Sequence, residues 1–542
     1  MRVLSGTFPR CNGHMVERIT GAAGTRTVEL GATALSPDDV AAVARRHATV
    51  VLDDTAKKNL SRARRHIEAL AEATEPTYGV STGFGALAVR HIPPERRTDL
   101  QRSLIRSHAA GAGEPVESEV VRALMFLRLR TLTTGHTGVR PETAQTLAQL
   151  LNANITPVVP EHGSLGCSGD LAPLAAVALA LMGEGEVFDA SGSRVPASDA
   201  LAAAGITPLT LAEKEGLALT NGTDGMLGML LLGAADLRHC LDVADVTAAM
   251  SVEALLGTDR AFADELQTLR PHPGQRTSAA RIVAAMADSG VVASHKGPDC
   301  TRVQDAYSMR CAPQVHGAAR DTLAHAELVM TRELAAAVDN PVVLDDGRVE
   351  SNGNFHGAPV GYALDFLAIG AGDVASIAER RTDRMLDTTR SHGLPAFLAD
   401  DPGVDSGHMI GQYTQASIVS ELKRLATPAS VDSVPSSAMQ EDHVSMGWSA
   451  ARKLRKSVAG LRTVLAVELL TAARALDLRA PLQPAPVTGA VRDLIRTRVA
   501  GPGTDRHLAP EIAAVEELIS SGAVLDTVAD RLPASPQTGG VR

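Results

Sequence analysis

Aromatic side chains are scarce in this 542-residue chain, which has eight Phe, four Tyr and one Trp. A core with so few of them must be packed from Ala, Leu and Val, which suits closely approaching helices. Each tyrosine then stands out, because its hydroxyl needs a polar partner. Basic residues are not in excess. Lys and Arg total 52 against 62 Asp and Glu, a formal net charge of −10, so the electrostatic footprint of a nucleic-acid or anionic-membrane binder is missing. Cysteine is limited to Cys11, Cys167, Cys240, Cys300 and Cys311, widely spaced and without a CxxC pair. That argues against a structural zinc site or dithiol redox centre and for a reducing, cytoplasmic setting. The first residues lack the apolar run of a signal peptide, and no later run of eighteen apolar residues is free of charge. The length and the 44% hydrophobic content allow a large core.

What is present is helical periodicity. Ser36-Pro37-Asp38-Asp39 reads as a helix start, with serine as N-cap, proline at the first helical position and acids in the first turn. Apolar residues three and four apart predict helices over Thr55 to Leu70, Glu117 to Leu132, Pro141 to Leu151, Leu171 to Met182 and Met226 to Leu237. The same pattern continues over Pro359 to Arg381, Ile418 to Leu425 and Ser449 to Leu476. Alternating strand patterns are few, so the expected fold is mainly α. Glycine-, proline- and serine-rich loops fall at Tyr78 to Gly85, Gly163 to Asp170, Arg270 to Gln275, Ser351 to Gly357 and Ala426 to Ser437, and ordered loops between rigid helices are where chemistry concentrates. Residues 1–25 and the tail from Pro533 read as disordered, with Met15 a second candidate start. After the first 25 residues the expected divisions are 26–210, carrying the glycine-rich loops, a central helical bundle over 211–485, and a C-terminal helical part with the tail over 486–542.

The segment GSLGCSGDLAPLA, Gly163 to Ala175, admits three readings. In the first, Ser168 or Asp170 merely caps the helix that follows. In the second, Ser168 is a hydrolase nucleophile, but the nucleophile elbow needs GxSxG after a strand and the residues here are G-C-S-G-D. In the third, the amide nitrogen of Gly169 attacks the carbonyl carbon of Cys167, and loss of water closes a five-membered ring. Dehydration of Ser168 then leaves an exocyclic methylene, giving 4-methylideneimidazol-5-one, a strong electrophile. Glycine permits the close backbone approach, serine carries the removable hydroxyl, and a small first residue fits the turn. Nearby helix N-termini would stabilise negative charge building on such a ring.

Several separated motifs decide among these readings: YGVSTGFG (Tyr78 to Gly85), SHAAG (Ser107 to Gly111), GSLGCSGDLAPL (Gly163 to Leu174), NGTDG (Asn221 to Gly225), QDAYSMRCAPQ (Gln304 to Gln314), NGNFH (Asn352 to His356) and QEDHVSM (Gln440 to Met446). With them the chain resembles the aromatic amino acid ammonia-lyase family from about residue 28 to its C-terminus, and within it the histidine-specific, actinobacterial branch. The resemblance implies a fumarase-like architecture of long, nearly parallel helices, a homotetramer, and active sites assembled from three subunits. It implies that Cys167, Ser168 and Gly169 form the prosthetic ring, with cysteine where the family more often has alanine. Only that residue's backbone carbonyl enters the ring, so the change is expected to be tolerated. No external cofactor or metal is implied.

The resemblance further implies that Tyr78 is the catalytic base on a glycine-rich lid. Asn221 and Arg310 would hold the substrate's carboxylate and amino group, arginine offering two N–H donors to two oxygens, and Gln304 and Tyr307 would line the same pocket. His108 and Glu441 carry the specificity, since a carboxylate can accept an imidazole N–H that a phenyl ring does not have. Phe355 would lie against the substrate ring. The implied reaction is removal of ammonia from L-histidine to give trans-urocanate. A histidine 2,3-aminomutase and a catalytically silent helical scaffold are the rivals. Two departures from the expected branch pattern are noted: PLAAVALALMGEG, which lacks a serine and histidine after the leucine, and His316.

Overall fold

The computed structural model describes residues 26–73, 77, 79–83, 90–297, 300 and 303–534. Tyr78 and the expected disordered extension over 1–25 lie outside the described residues, as do residues 535–542 of the tail. The fold is mainly helical, as expected, with short strands only at the edges of loops. Ser36 caps the Pro37–Arg45 helix through a full capping box: Ser36 Oγ accepts from Asp39 N, and the Asp39 carboxylate accepts from Ser36 N.

Three helices form the centre: Asp224–Ala254, Ala358–Leu386 and Gly447–Asp477. At 1.5 Å per residue each runs about 45 Å. Ala358–Leu386 packs along Gly447–Asp477, which lies in turn on Asp224–Ala254, while Ala312–Ala335 and Met409–Leu425 pack on the outside of this group. Arg381 binds both oxygens of Glu468 (2.5 and 3.0 Å), and Ser251 Oγ donates to the same carboxylate at 2.6 Å. These residues stand 23, 21 and 27 positions after the first residues of their helices, so the three helices start at one end and run side by side in the same direction. Arg381 and Glu468 are both fully buried and pair with each other, and without that pairing each would carry a large desolvation cost.

The helices are longer than their sequence pattern implied. Met226 to Leu237 extends to Asp224–Ala254, and Ala312–Ala335 was not anticipated. Asp224–Ala254 is buried on nearly all its faces, and Ala312–Ala335 carries His316 and Arg320 on its buried side, so neither shows a clean apolar stripe in sequence. The Arg270 to Gln275 loop already turns into helix at Pro273. Ala358–Leu386 is also long and apolar enough, by length and composition, to cross a membrane, but its most apolar stretch is mostly buried inside the bundle.

His408 sits buried at the start of Met409–Leu425, its Nδ1 3.1 Å from Thr471 Oγ1. Burial, reinforced by Arg474, Arg496 and Arg506, pushes its imidazole from 6.5 down to about 3. Below pH 6.5 the unfolded chain therefore takes up a proton that the folded one refuses. Stability should fall by up to about 1.4 kcal/mol per pH unit from this residue as pH drops from 6.5 toward 3. Denaturant titration at pH 7 and 5 checks this, and His408→Asn should flatten the slope.

Candidate active site

Two short antiparallel strands, Ala112–Pro115 and Pro160–His162, bring SHAAG alongside the start of the GSLGCSGD loop. A side chain on Gly163 would press on Gly111, so both glycines are needed for this approach. The loop then meets several helix N-termini. Asp170 precedes the Leu171–Leu181 helix, yet its carboxylate caps a different one, accepting from Gly225 N (2.9 Å) and Met226 N (3.0 Å) in the first turn of Asp224–Ala254. Ser164 Oγ also donates to it at 2.9 Å. Gly166 O accepts from Gly357 N at 3.2 Å, just before Ala358–Leu386, and from Ser445 Oγ at 2.7 Å. Leu165 O accepts from Met446 N at 2.8 Å, just before Gly447–Asp477. Four helices therefore begin at this loop, and the positive ends of their dipoles meet there. The reading of Ser168 or Asp170 as a simple cap of the following helix is corrected: the loop is tied down by its neighbours' first turns.

Gly169 has φ +79°, and a Cβ there would strike the Gly222 carbonyl. Asp170 N makes the 2.7 Å hydrogen bond to Gly222 O, so the amide nitrogen of Gly169 is not the one committed to this pairing. Both features fit backbone cyclisation across Cys167-Ser168-Gly169. Glu441 faces the same triplet, accepting from Ser168 Oγ (3.3 Å) on Oε1 and from Cys167 Sγ (3.4 Å) on Oε2. Burial and the Glu441 charge push the Cys167 thiol up to about 12, so it stays protonated near neutral pH and can act as a donor. Burial holds His108 below the usual imidazole value, with Glu441 pulling in the opposite direction.

Asn221 ends the Glu215–Thr220 helix one residue before Gly222 and is buried. Its Nδ2 donates to Asn340 O at 3.2 Å, while its buried Oδ1 receives no hydrogen bond from the described protein atoms. Arg128 grips the Asn221 carbonyl at 2.5 Å, and Asn340 follows Asp339, whose carboxylate pairs at 2.6 Å with the fully buried Lys214. Sequence reasoning missed Lys214, Asp339 and Asn340. Lys214 and Asp339 are fully buried only because they pair with each other, a pairing across 125 residues that no local pattern reveals. Gly79 packs against Leu217, Pro341 and the Lys214 stem, so the chain next to Tyr78 borders this cluster. Phe355 is half-buried, between Asn354 and a His356 ring stacked on His443 at 5.6 Å.

The remaining candidates lie elsewhere. Tyr307 is 72% exposed, Gln304 is exposed, and the Arg310 guanidinium sits over the Tyr307 ring at 4.7 Å. Arg381 donates to Ser308 O, and Arg381 is 23 residues, roughly 35 Å, along a helix that begins at the loop. Within one chain these residues therefore stand at the opposite end of the bundle from Ser168. His316 is also remote. It is buried, with Nδ1 2.8 Å from Asp245 Oδ1, itself about 30 Å along Asp224–Ala254, so this departure is far from the Ser168 loop of its own chain and lies at the same end of the bundle as Arg310.

A helical bundle whose glycine-rich loop is seated on converging helix N-termini and faces a carboxylate is arranged to stabilise negative charge developing at that loop. The family profile for aromatic amino acid lyases matches residues 35–497. A histidine ammonia-lyase of Streptomyces coelicolor is 64% identical over 497 residues, covering 92% of this chain and 97% of that protein. Among solved structures, a histidine ammonia-lyase of Trypanosoma cruzi superposes with a TM-score of 0.86 at 39% identity, over 94% of this chain and 96% of the other. A tyrosine aminomutase of Streptomyces globisporus gives 0.87 at 37%, over 94% and 99%. The chain belongs to the aromatic amino acid lyase family, a family of carbon–nitrogen lyases.

Proposed function

We propose that this protein is a histidine ammonia-lyase that converts L-histidine to trans-urocanate and ammonia, using a 4-methylideneimidazol-5-one group made from Cys167, Ser168 and Gly169. The observation that carries the reading is Glu441, set against Ser168 at 3.3 Å, where an imidazole substrate gains a hydrogen bond that a phenyl ring cannot use. When formed, the group supplies an electrophilic carbon that turns the substrate's amine into a departing group. The residues divide the remaining work. Asn221 offers its Oδ1, without a hydrogen bond among the described residues, to the substrate ammonium, Arg310 offers paired N–H donors to the carboxylate, and Glu441 accepts the imidazole N–H. Tyr78 takes the β-proton, while Gln304, Tyr307 and Phe355 wall the pocket.

Because Arg310, Tyr307 and Gln304 are exposed or half-buried and far from the loop of their own chain, they serve the loop of another copy in a homotetramer, in the cytoplasm. The test is incubation of the purified protein with L-histidine, following urocanate absorbance and ammonia together. Matched release of both supports the proposal, and formation of neither overturns it. The structural likeness to a tyrosine aminomutase makes β-histidine the product to look for alongside, and its appearance as the main product would assign a mutase instead.

A further inference from the structure

We propose that Ser436 is a positioning residue for substrate recognition: together with the Cys167 thiol it fixes one carboxylate oxygen of Glu441, leaving the other to receive the substrate's imidazole N–H. The inference rests on the function proposed above. The two oxygens of Glu441 are held unequally. Oε2 accepts from Ser436 Oγ at 2.9 Å and from Cys167 Sγ at 3.4 Å, whereas Oε1 accepts, among the described residues, only from Ser168 Oγ at 3.3 Å. Dehydration of Ser168 removes its hydroxyl, together with its α-hydrogen, as water. The donor on Oε1 is then lost while both donors on Oε2 remain. The carboxylate keeps its anchor and gains a free acceptor on the side where the substrate ring must lie.

The backbone is arranged to make this anchor. Ser436 and Glu441 pair across a tight turn, with Ser436 N donating to Glu441 O at 2.9 Å and Glu441 N to Ser436 O at 3.3 Å. Residues directly opposite in such a pair project to the same face, which brings Ser436 Oγ to the Glu441 carboxylate. Between them Ser437, Ala438 and Met439 all have positive φ, +51°, +53° and +70°, a conformation that side chains disfavour and that persists only where surrounding structure enforces it. The closing pair presents Glu441 to the Cys167-Ser168-Gly169 loop. Cysteine at 167 supplies a second donor to Oε2 that alanine would not. Ser436 therefore shares its task with the departure seen in this chain's triplet.

The experiment compares Ser436→Ala, Ser436→Thr and Cys167→Ala with the wild type. Ser436→Ala should raise KM for L-histidine at least about tenfold, the loss expected for a hydrogen bond to a charged group, and change kcat less than threefold. Ser436→Thr keeps the hydroxyl and should restore KM to within threefold. Intact mass should show the same loss of two water molecules in Ser436→Ala as in the wild type. A readout independent of turnover is calorimetric binding of L-histidine to Ser168→Ala, where adding Ser436→Ala should weaken the affinity at least tenfold. Unchanged KM and affinity in Ser436→Ala, a threonine variant as impaired as the alanine one, or failure of Ser436→Ala to lose the two waters would each overturn the positioning role. A wild type that does not turn over L-histidine would instead overturn the proposed function, and this inference with it.

Discussion

Ser168→Ala is expected to abolish turnover of L-histidine, by about 10⁴-fold or more. The size of the effect separates the two roles that Ser168 could have. As a hydrogen-bond donor to Glu441 at 3.3 Å, its loss would cost roughly tenfold, the worth of one such bond to a charged group. As the source of the electrophile, it cannot be replaced by any side chain lacking a removable hydroxyl. Mass gives a second reading that does not depend on activity. The wild type should be lighter than its sequence by two water molecules, one from closure of Gly169 N onto the Cys167 carbonyl and one from Ser168. The variant should lose neither. A wild type at full sequence mass, or a variant with a tenth of the activity or more, would overturn the cyclised triplet. Cys167→Ala should retain both waters' loss, because only its backbone carbonyl takes part.

How much of this was legible beforehand follows from where each signal lives. The capping box at Ser36 was readable because a helix start needs only four neighbouring residues. The full reach of Asp224–Ala254 was not, since its second half buries Asp245 and Glu253 among apolar residues. These acids are tolerated through partners far along the chain, with Asp245 bonded to His316 and Arg320 and Glu253 to Ser289 and Thr488. The same limit applies to the site. Ser168 and Glu441 could be named from their motifs, yet their proximity spans 273 residues. The local pattern favoured a cap role for Asp170. Its carboxylate in fact holds the first turn of the Asp224–Ala254 helix, which only the packing of the helices creates. Ser436 lay in a loop the sequence marked, but nothing singled it out there, because its meaning comes from a turn of positive-φ residues that no local preference would select.

Arg310→Ala is expected to lower kcat/KM by roughly 10² to 10³, the cost of removing one partner of a desolvated charge pair, and its defect should be repaired from another chain. Arg310 stands about 35 Å from the loop of its own chain, beside the exposed Tyr307. Co-expressing Arg310→Ala with Ser168→Ala should therefore yield mixed tetramers in which some sites combine an intact loop from one chain with an intact arginine from another. Activity well above that of either variant alone is the expected result. The control is the pair Ser168→Ala with Glu441→Ala. Ser168 and Glu441 touch within one chain, so every intact loop in that mixture faces a truncated Glu441 and no activity should return. Recovery in both mixtures would place Glu441 across an interface as well. Recovery in neither would put Arg310 outside the active site, because a binding residue so far from its own loop can act only through a neighbour.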